Sequence, residues 1–138
     1  MTFVLDASVI LKLIIVEREE DQQIALGVIK NFQEGKAEIL LPSFWVFEVG
    51  NTLMKKGGDY ESLYVFVLDI GFPTHEFDSS ELIEIGKFGK KHNVTFYDAS
   101  YHYLAKLAGF TFVTADEKYF EKVKKVGNII LLKNLKLH

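Results

Sequence analysis

The chain has 138 residues, 49% of them hydrophobic and 25% charged, with no cysteine and a net charge of −3. One globular domain over residues 1–138 is expected, and disulfide frameworks and thiolate metal sites are excluded. The longest apolar run, Val9 to Val16, is broken by Lys12 and falls short of the ~20 residues of a membrane span, so no membrane association is expected.

The opening Thr2-Phe3-Val4-Leu5 has neither the basic region nor the small-residue cleavage site of a signal peptide, and with the missing cysteines it suits a cytoplasmic setting. Net negative charge argues against a nucleic-acid partner, because phosphate binding is driven by lysine and arginine. The objection is weak where carboxylates form the active site and lysines gather elsewhere. They do so at Lys55-Lys56, at Lys87, Lys90 and Lys91, and at Lys118, Lys122, Lys124 and Lys125; for any one cluster a solvated helix face is the simpler reading than a binding groove.

In chain order, Thr2 to Leu5 is a short apolar run of the kind found in buried parallel strands, ending at Asp6. Ala7 to Val16 reads as a buried helix. Glu17 to Phe32 places Ile24, Val28, Ile29 and Phe32 at helical spacing before Gly35. Ile39 to Leu41 is a strand closed by Pro42, and Ser43 stands as N-cap of a helix running to Lys56, before Gly57-Gly58. Tyr60 to Ile70 is helical, Pro73 to Phe77 a strand, and Asp78 caps a helix through Lys91. Ala99 to Leu107 is a helix ending at Gly109, Phe110 to Val113 a strand, Lys118 to Lys125 a short helix and Asn128 to Leu132 the last strand. This alternation is the pattern of a parallel sheet covered by helices on both faces.

Ligands of an open parallel sheet bind beyond the carboxyl ends of its strands. Asp6 follows the first strand directly, Asp116 lies just past Phe112-Val113, and Asp98 begins the helix that leads into that strand. Glu48 sits in Phe44-Trp45-Val46-Phe47-Glu48-Val49, a helical stretch apolar almost all round. Each aspartate also stands where a helix begins and could simply cap it, and Glu48 could reach solvent or a lysine. The signal is in the set. At separations of about 6 Å and an effective dielectric near 20, each pair of charges repels by about 3 kcal/mol, and six pairs by on the order of 15 kcal/mol, comparable with the stability of a whole domain. Such a cluster takes up protons or binds cations. Hard oxygen donors favour Mg²⁺ or Mn²⁺ over zinc. His75, His92, His102 and His138 show no zinc-motif spacing and read as surface residues.

Four segments carry a family resemblance. Val4-Leu5-Asp6-Ala7-Ser8-Val9-Ile10-Leu11-Lys12, Glu48-Val49-Gly50-Asn51-Thr52-Leu53, Phe96-Tyr97-Asp98-Ala99-Ser100-Tyr101-His102-Tyr103-Leu104-Ala105 and Thr114-Ala115-Asp116 resemble, in order, the four acidic motifs of PIN-domain ribonucleases of the VapC toxin type. The resemblance spans almost the full chain. It implies a three-layer α/β/α sandwich with a five-stranded parallel sheet and endoribonuclease activity that depends on Mg²⁺ or Mn²⁺ and leaves 5′-phosphate and 3′-hydroxyl ends. It also implies an RNA substrate, a VapB-type antitoxin partner and a homodimer. By position, Asp6 and Asp98 would be metal ligands, then Asp116, with Glu48 ligating directly or through water; Ser8, Asn51 and Thr114 would orient the carboxylates. Some relatives carry a further polar or acidic residue shortly after the fourth motif, where this chain has Lys118. Three alternatives stand beside the toxin: an RNA-processing nuclease on the same fold, a phospho-accepting receiver-like domain, and a non-catalytic binding module whose acids are caps.

Overall fold

The computed structural model of the chain describes residues 1–137. Its elements are β1 (Thr2–Leu5), α1 (Ala7–Lys12), α2 (Glu19–Gln33), β2 (Glu38–Ile39), β3 (Leu41–Pro42), α3 (Trp45–Lys56), α4 (Tyr60–Leu68) and β4 (Thr74–His75). There follow α5 (Ser79–His92), α6 (Phe96–Ala108), β5 (Thr111–Thr114), α7 (Glu117–Val123) and β6 (Ile129–Leu131), with short 3₁₀ turns at Lys124–Val126 and Leu132–Asn134.

Successive side chains of a strand point to opposite faces. In β1, Val4 and Leu5 are both buried, as are Phe112 and Val113 in β5, so helices cover both faces of the sheet. This is the α/β/α sandwich of a parallel sheet. Its main body has four strands in the order β2-β1-β5-β6, all parallel, with Val4 opposite Phe112 and Leu5 opposite Val113. The expected single five-stranded sheet is therefore divided. Leu40 N–H donates to Phe3 C=O at 3.0 Å, whereas Leu41 N–H donates to Pro73 C=O at 3.1 Å. The extended segment 38–42 thus changes partner at Leu40, leaving β1 for β4, and β3-β4 form a separate parallel pair.

Of the helix boundaries that differ from expectation, three have a local reason. α1 ends at Lys12 rather than Val16 and continues only as tight turns through Ile15, where the consecutive β-branched Ile14-Ile15-Val16 weaken helix propensity. α3 begins at Trp45, and Ser43 does not cap it: Ser43 N–H donates to His75 C=O at 2.9 Å and so remains in the strand ladder. α6 begins at Phe96, ahead of the expected Ala99, because Thr95 Oγ1 accepts from Asp98 N–H at 3.1 Å and caps the helix earlier.

The core continues from the sheet into α6. Phe112 lies between Tyr101, stacked at 6.1 Å, and Tyr119, edge-on at 5.8 Å, with His102 at 5.5 Å. Among the described residues no helix is long and apolar enough to cross a membrane.

Candidate active site

The site grows from the carboxyl ends of the two central strands. Asp6 N–H donates to Val113 C=O at 2.9 Å, extending the β1-β5 ladder by one residue and setting the Asp6 side chain beside Thr114. Asp6 occupies the N-cap position of α1, yet its side chain caps nothing. Its Oδ2 instead accepts from Ser8 Oγ at 2.6 Å and from Thr114 Oγ1 at 3.2 Å. The same hydroxyls accept in turn: Ser8 Oγ from Ala115 N–H and Thr114 Oγ1 from Asp116 N–H, both at 3.1 Å. Two hydroxyls therefore knit the start of α1 to the loop after β5 and hold one edge of the Asp6 carboxylate.

Asp98 is the third residue of α6, so its carboxylate is free of capping duty. Asp116 is a true cap: its Oδ1 accepts from Tyr119 N–H at 3.0 Å. Glu48 projects from α3 with Oε1 buried and unpartnered, and the buried Tyr101 hydroxyl, one turn along α6 from Asp98, likewise lacks a partner.

Burial and mutual repulsion hold the Asp6, Glu48 and Asp98 carboxyls away from their ionised state. Asp6, 7% exposed, is raised to about 7, first by desolvation and then by the charges of Asp98 and Glu48, against the two hydroxyl hydrogen bonds. Glu48 is raised by desolvation and by Asp98. Asp98 is raised by desolvation and by Asp116, with Thr95 and the Lys122 ammonium opposing. Tyr101 is pushed up by its own burial and by the charges of Glu48, Asp6 and Asp98. Four acids from four elements share one electrostatic environment. Beside them, Asp98, Asp116, Lys118, Tyr119 and Lys122 line a cleft of about 150 Å³.

A family model described as PIN domain matches residues 3–126. The chain belongs to the PIN domain family.

Among solved structures, this PIN domain is similar to PAE2754 from Pyrobaculum aerophilum, with a TM-score of 0.68 and 26% identity over 96% of this chain and 93% of that one. It is also similar to VapBC2 from Rickettsia felis, with a TM-score of 0.64 and 18% identity over 95% and 97%. For FitAcB from Neisseria gonorrhoeae the TM-score is 0.66, at 15% identity over 96% and 99%. The last two, at such identity, speak to the fold alone. No curated protein sequence matches significantly.

Within the PIN domain, the donor set suits a hard divalent cation. It offers carboxylate oxygens only, with a buried Glu48 oxygen that no protein group satisfies. Among the described residues, however, no three acids or histidines already surround one point at ligand distance.

Asn51 does not join the site. It is exposed on α3 and makes no hydrogen bond to any of the four acids among the described residues, so the orienting role expected for it has no contact behind it. The histidine expectation also needs correction. His102 is fully buried, with Nδ1 2.9 Å from Tyr119 Oη and Nε2 2.7 Å from Gly127 C=O. Gly127 C=O can only accept, so Nε2 carries the proton and the neutral Nδ1 accepts from Tyr119. Burial lowers the His102 pKa accordingly. His75 and His92 are half-buried, and His138 lies outside the described residues. His102, Tyr101 and Tyr119 are the site's unforeseen neighbours. The available signal was the place of Tyr101 and His102 in α6 beside the apolar Leu104 and Ala105, where a polar side chain needs a partner.

Proposed function

We propose that this PIN domain is a Mg²⁺- or Mn²⁺-dependent endoribonuclease and the toxin of a VapBC-type toxin–antitoxin pair. The observation that carries the nuclease reading is the Asp6 carboxyl, buried, raised to about 7, and clasped on one oxygen by Ser8 and Thr114. A structural cap needs none of this, and Asp6 caps nothing.

Asp6 and Asp98 would hold the cation, with Glu48 and Asp116 completing the set. When bound, the cation supplies the positive charge that lowers the pKa of an attacking water and offsets charge on the phosphoryl oxygens. Ser8 and Thr114 keep Asp6 Oδ2 in place, leaving its other oxygen free of hydrogen bonds among the described residues. Lys118 and Lys122, on the cleft shared with Asp98 and Asp116, face where a substrate phosphate would lie. The test is direct. Purified protein with Mg²⁺ or Mn²⁺ cleaves single-stranded RNA, a chelator stops the reaction, and excess cation restores it. Intact RNA under every divalent cation tried refutes the assignment.

The partner proposal has its own support. The hairpin of α3 and α4, where Gly50 lies against the Tyr64 ring and the Tyr64 hydroxyl donates to Val46 C=O, leaves Phe47 76%, Met54 60%, Val65 54% and Phe66 50% exposed. Phe47 and Met54 are two turns apart on one side of α3. So large an apolar face suits an amphipathic antitoxin helix, and the likeness to the VapBC2 structure favours that occupant. Such a partner would bring an Arg or Lys to the carboxylates, in place of the cation. Co-expression with the protein encoded beside this gene should yield a complex that Phe47→Asp disrupts at least tenfold. Retention of the complex by that variant, or a chain that covers the face by dimerising alone, counts against the antitoxin.

A further inference from the structure

Charge is distributed very unevenly along this chain. Residues 85–126 hold eight of its sixteen basic residues and only four of its nineteen acids, a net of +4, while the remainder carries −7. Two of those four acids, Asp98 and Asp116, belong to the carboxylate site. The fold gathers part of this excess into the most voluminous of its described clefts, about 620 Å³, where Lys87, Lys91, Lys106 and Lys125 surround the rings of Phe88 and Tyr103.

The four lysines come from three separate elements: α5, α6 and the 3₁₀ turn after α7. Lysines in the last turn of a helix complement its dipole, which accounts for Lys91. It accounts equally for Lys106 in the last turn of α6, but not for Lys125 meeting both across a cleft. Only one acid, Glu84, lines it, and Glu84 is paired with Lys87 at 3.2 Å. Lys106 Nζ donates to Val126 C=O at 3.1 Å, which holds the ammonium in place without neutralising it. Lys91 and Lys125 have no ion-pair partner among the described residues. Phe88 lies 4.5 Å from the His92 ring, centroid to centroid, giving the cleft an aromatic floor.

One helix, α6, contributes to both the lysine cleft and the carboxylate site. α6 carries Asp98 near its start and Lys106 near its end, eight residues and about 12 Å along one rigid helix. That is a reach of three or four nucleotides at ~3.4 Å per residue of a helical strand. Between the two, Lys122 of α7 donates to Asn93 C=O at 3.0 Å and joins the end of α5 to the rim of the acidic cleft.

We infer that the cleft between α5, α6 and the turn after α7 binds the backbone of single-stranded RNA flanking the scissile phosphate, with lysines on phosphates and the Phe88 and Tyr103 rings against bases. Basic side chains interleaved with aromatic ones are what single strands require. RNA as the ligand rests on the nuclease reading; the binding itself does not need cleavage.

The test is fluorescence anisotropy of the full chain with a labelled single-stranded RNA of about 12 nucleotides, in chelator so that no hydrolysis occurs. The Lys91→Ala/Lys125→Ala variant should bind about tenfold more weakly at ~0.1 M salt, and its plot of log K against log salt should flatten by about 1.4, since each phosphate contact on a single strand contributes ~0.7. Lys30→Ala/Lys36→Ala, on and just after α2, should bind as the parent does. Parent-like affinity and slope in the cleft variant, or equal weakening in both variants, overturns the inference. Adding Mn²⁺ separates the two proposals. RNA bound through these lysines but left intact refutes the nuclease and leaves the cleft standing; RNA cleaved by a chain whose binding ignores them refutes the cleft alone.

Discussion

Asp6→Asn is expected to abolish RNA cleavage and yet, at about pH 8 in chelator, to melt at a higher temperature than the parent. The two effects share one cause. In the parent, folding carries a carboxyl whose ordinary value is 3.8 into a site where it is raised to about 7. Between those values the native state binds the extra proton, so stability falls as pH rises through this window; above pH 7 the full penalty remains. A shift of that size corresponds to about 4 kcal/mol at 1.36 kcal/mol per unit, or a melting difference of about 10 °C for a domain of this length.

Asparagine keeps an oxygen for Ser8 and Thr114 and removes the charge, and with it most of the penalty. The same charge is what a cation needs, so activity falls to background. Below about pH 4 parent and variant should melt alike. Thermal scans across pH with and without Mn²⁺ check both halves, because cation bound to the parent should recover stability as RT ln(1 + [L]/Kd), about 2.7 kcal/mol at a hundredfold excess over Kd. A variant less stable than the parent at pH 8, or one that still cuts RNA, removes Asp6 from the assigned role.

His102→Ala should cost about 4 kcal/mol of stability. Truncation leaves a cavity beside Phe112 and strands two buried groups, Tyr119 Oη and Gly127 C=O, that the imidazole now joins. The parent should also lose stability as pH falls through about 6.5, because the unfolded chain then takes up a proton that the buried imidazole, its pKa lowered, resists; the variant lacks that component. It runs opposite to the Asp6 contribution, so the two substitutions tilt the pH profile in opposite directions. Tyr119 also supplies the N–H that Asp116 caps, and cleavage should weaken with the loosening of α7. Urea denaturation at several pH values is the measurement, and a loss below 1 kcal/mol would show that the buried hydrogen bonds contribute little.

Much of this was legible along the chain because its causes are local. Thr2–Leu5 and Phe110–Val113, the latter observed at Thr111–Thr114, read as strands since both faces of a central parallel strand are apolar, and the helices α2 and α5 announce themselves by spacing and by the cap at Asp78. The split of the sheet at Leu40 was not legible, since pairing with Phe3 on one side and Pro73 on the other depends on residues far away in sequence.

The three aspartates show the same division. Asp6, Asp98 and Asp116 look interchangeable as candidate caps, each at or near a helix start. Local sequence alone determined that these acids stand at helix starts and beyond strand ends. Only the tertiary structure decided that Asp116 caps, that Thr95 relieves Asp98 of capping, and that Asp6 turns to Ser8 and to Thr114, 108 residues away. It likewise decided that Asn51 is exposed while His102 is sealed into the core. The reason is that capping and periodicity are properties of neighbours in the chain, whereas the energy of a buried charge or imidazole is set by whatever the fold brings against it.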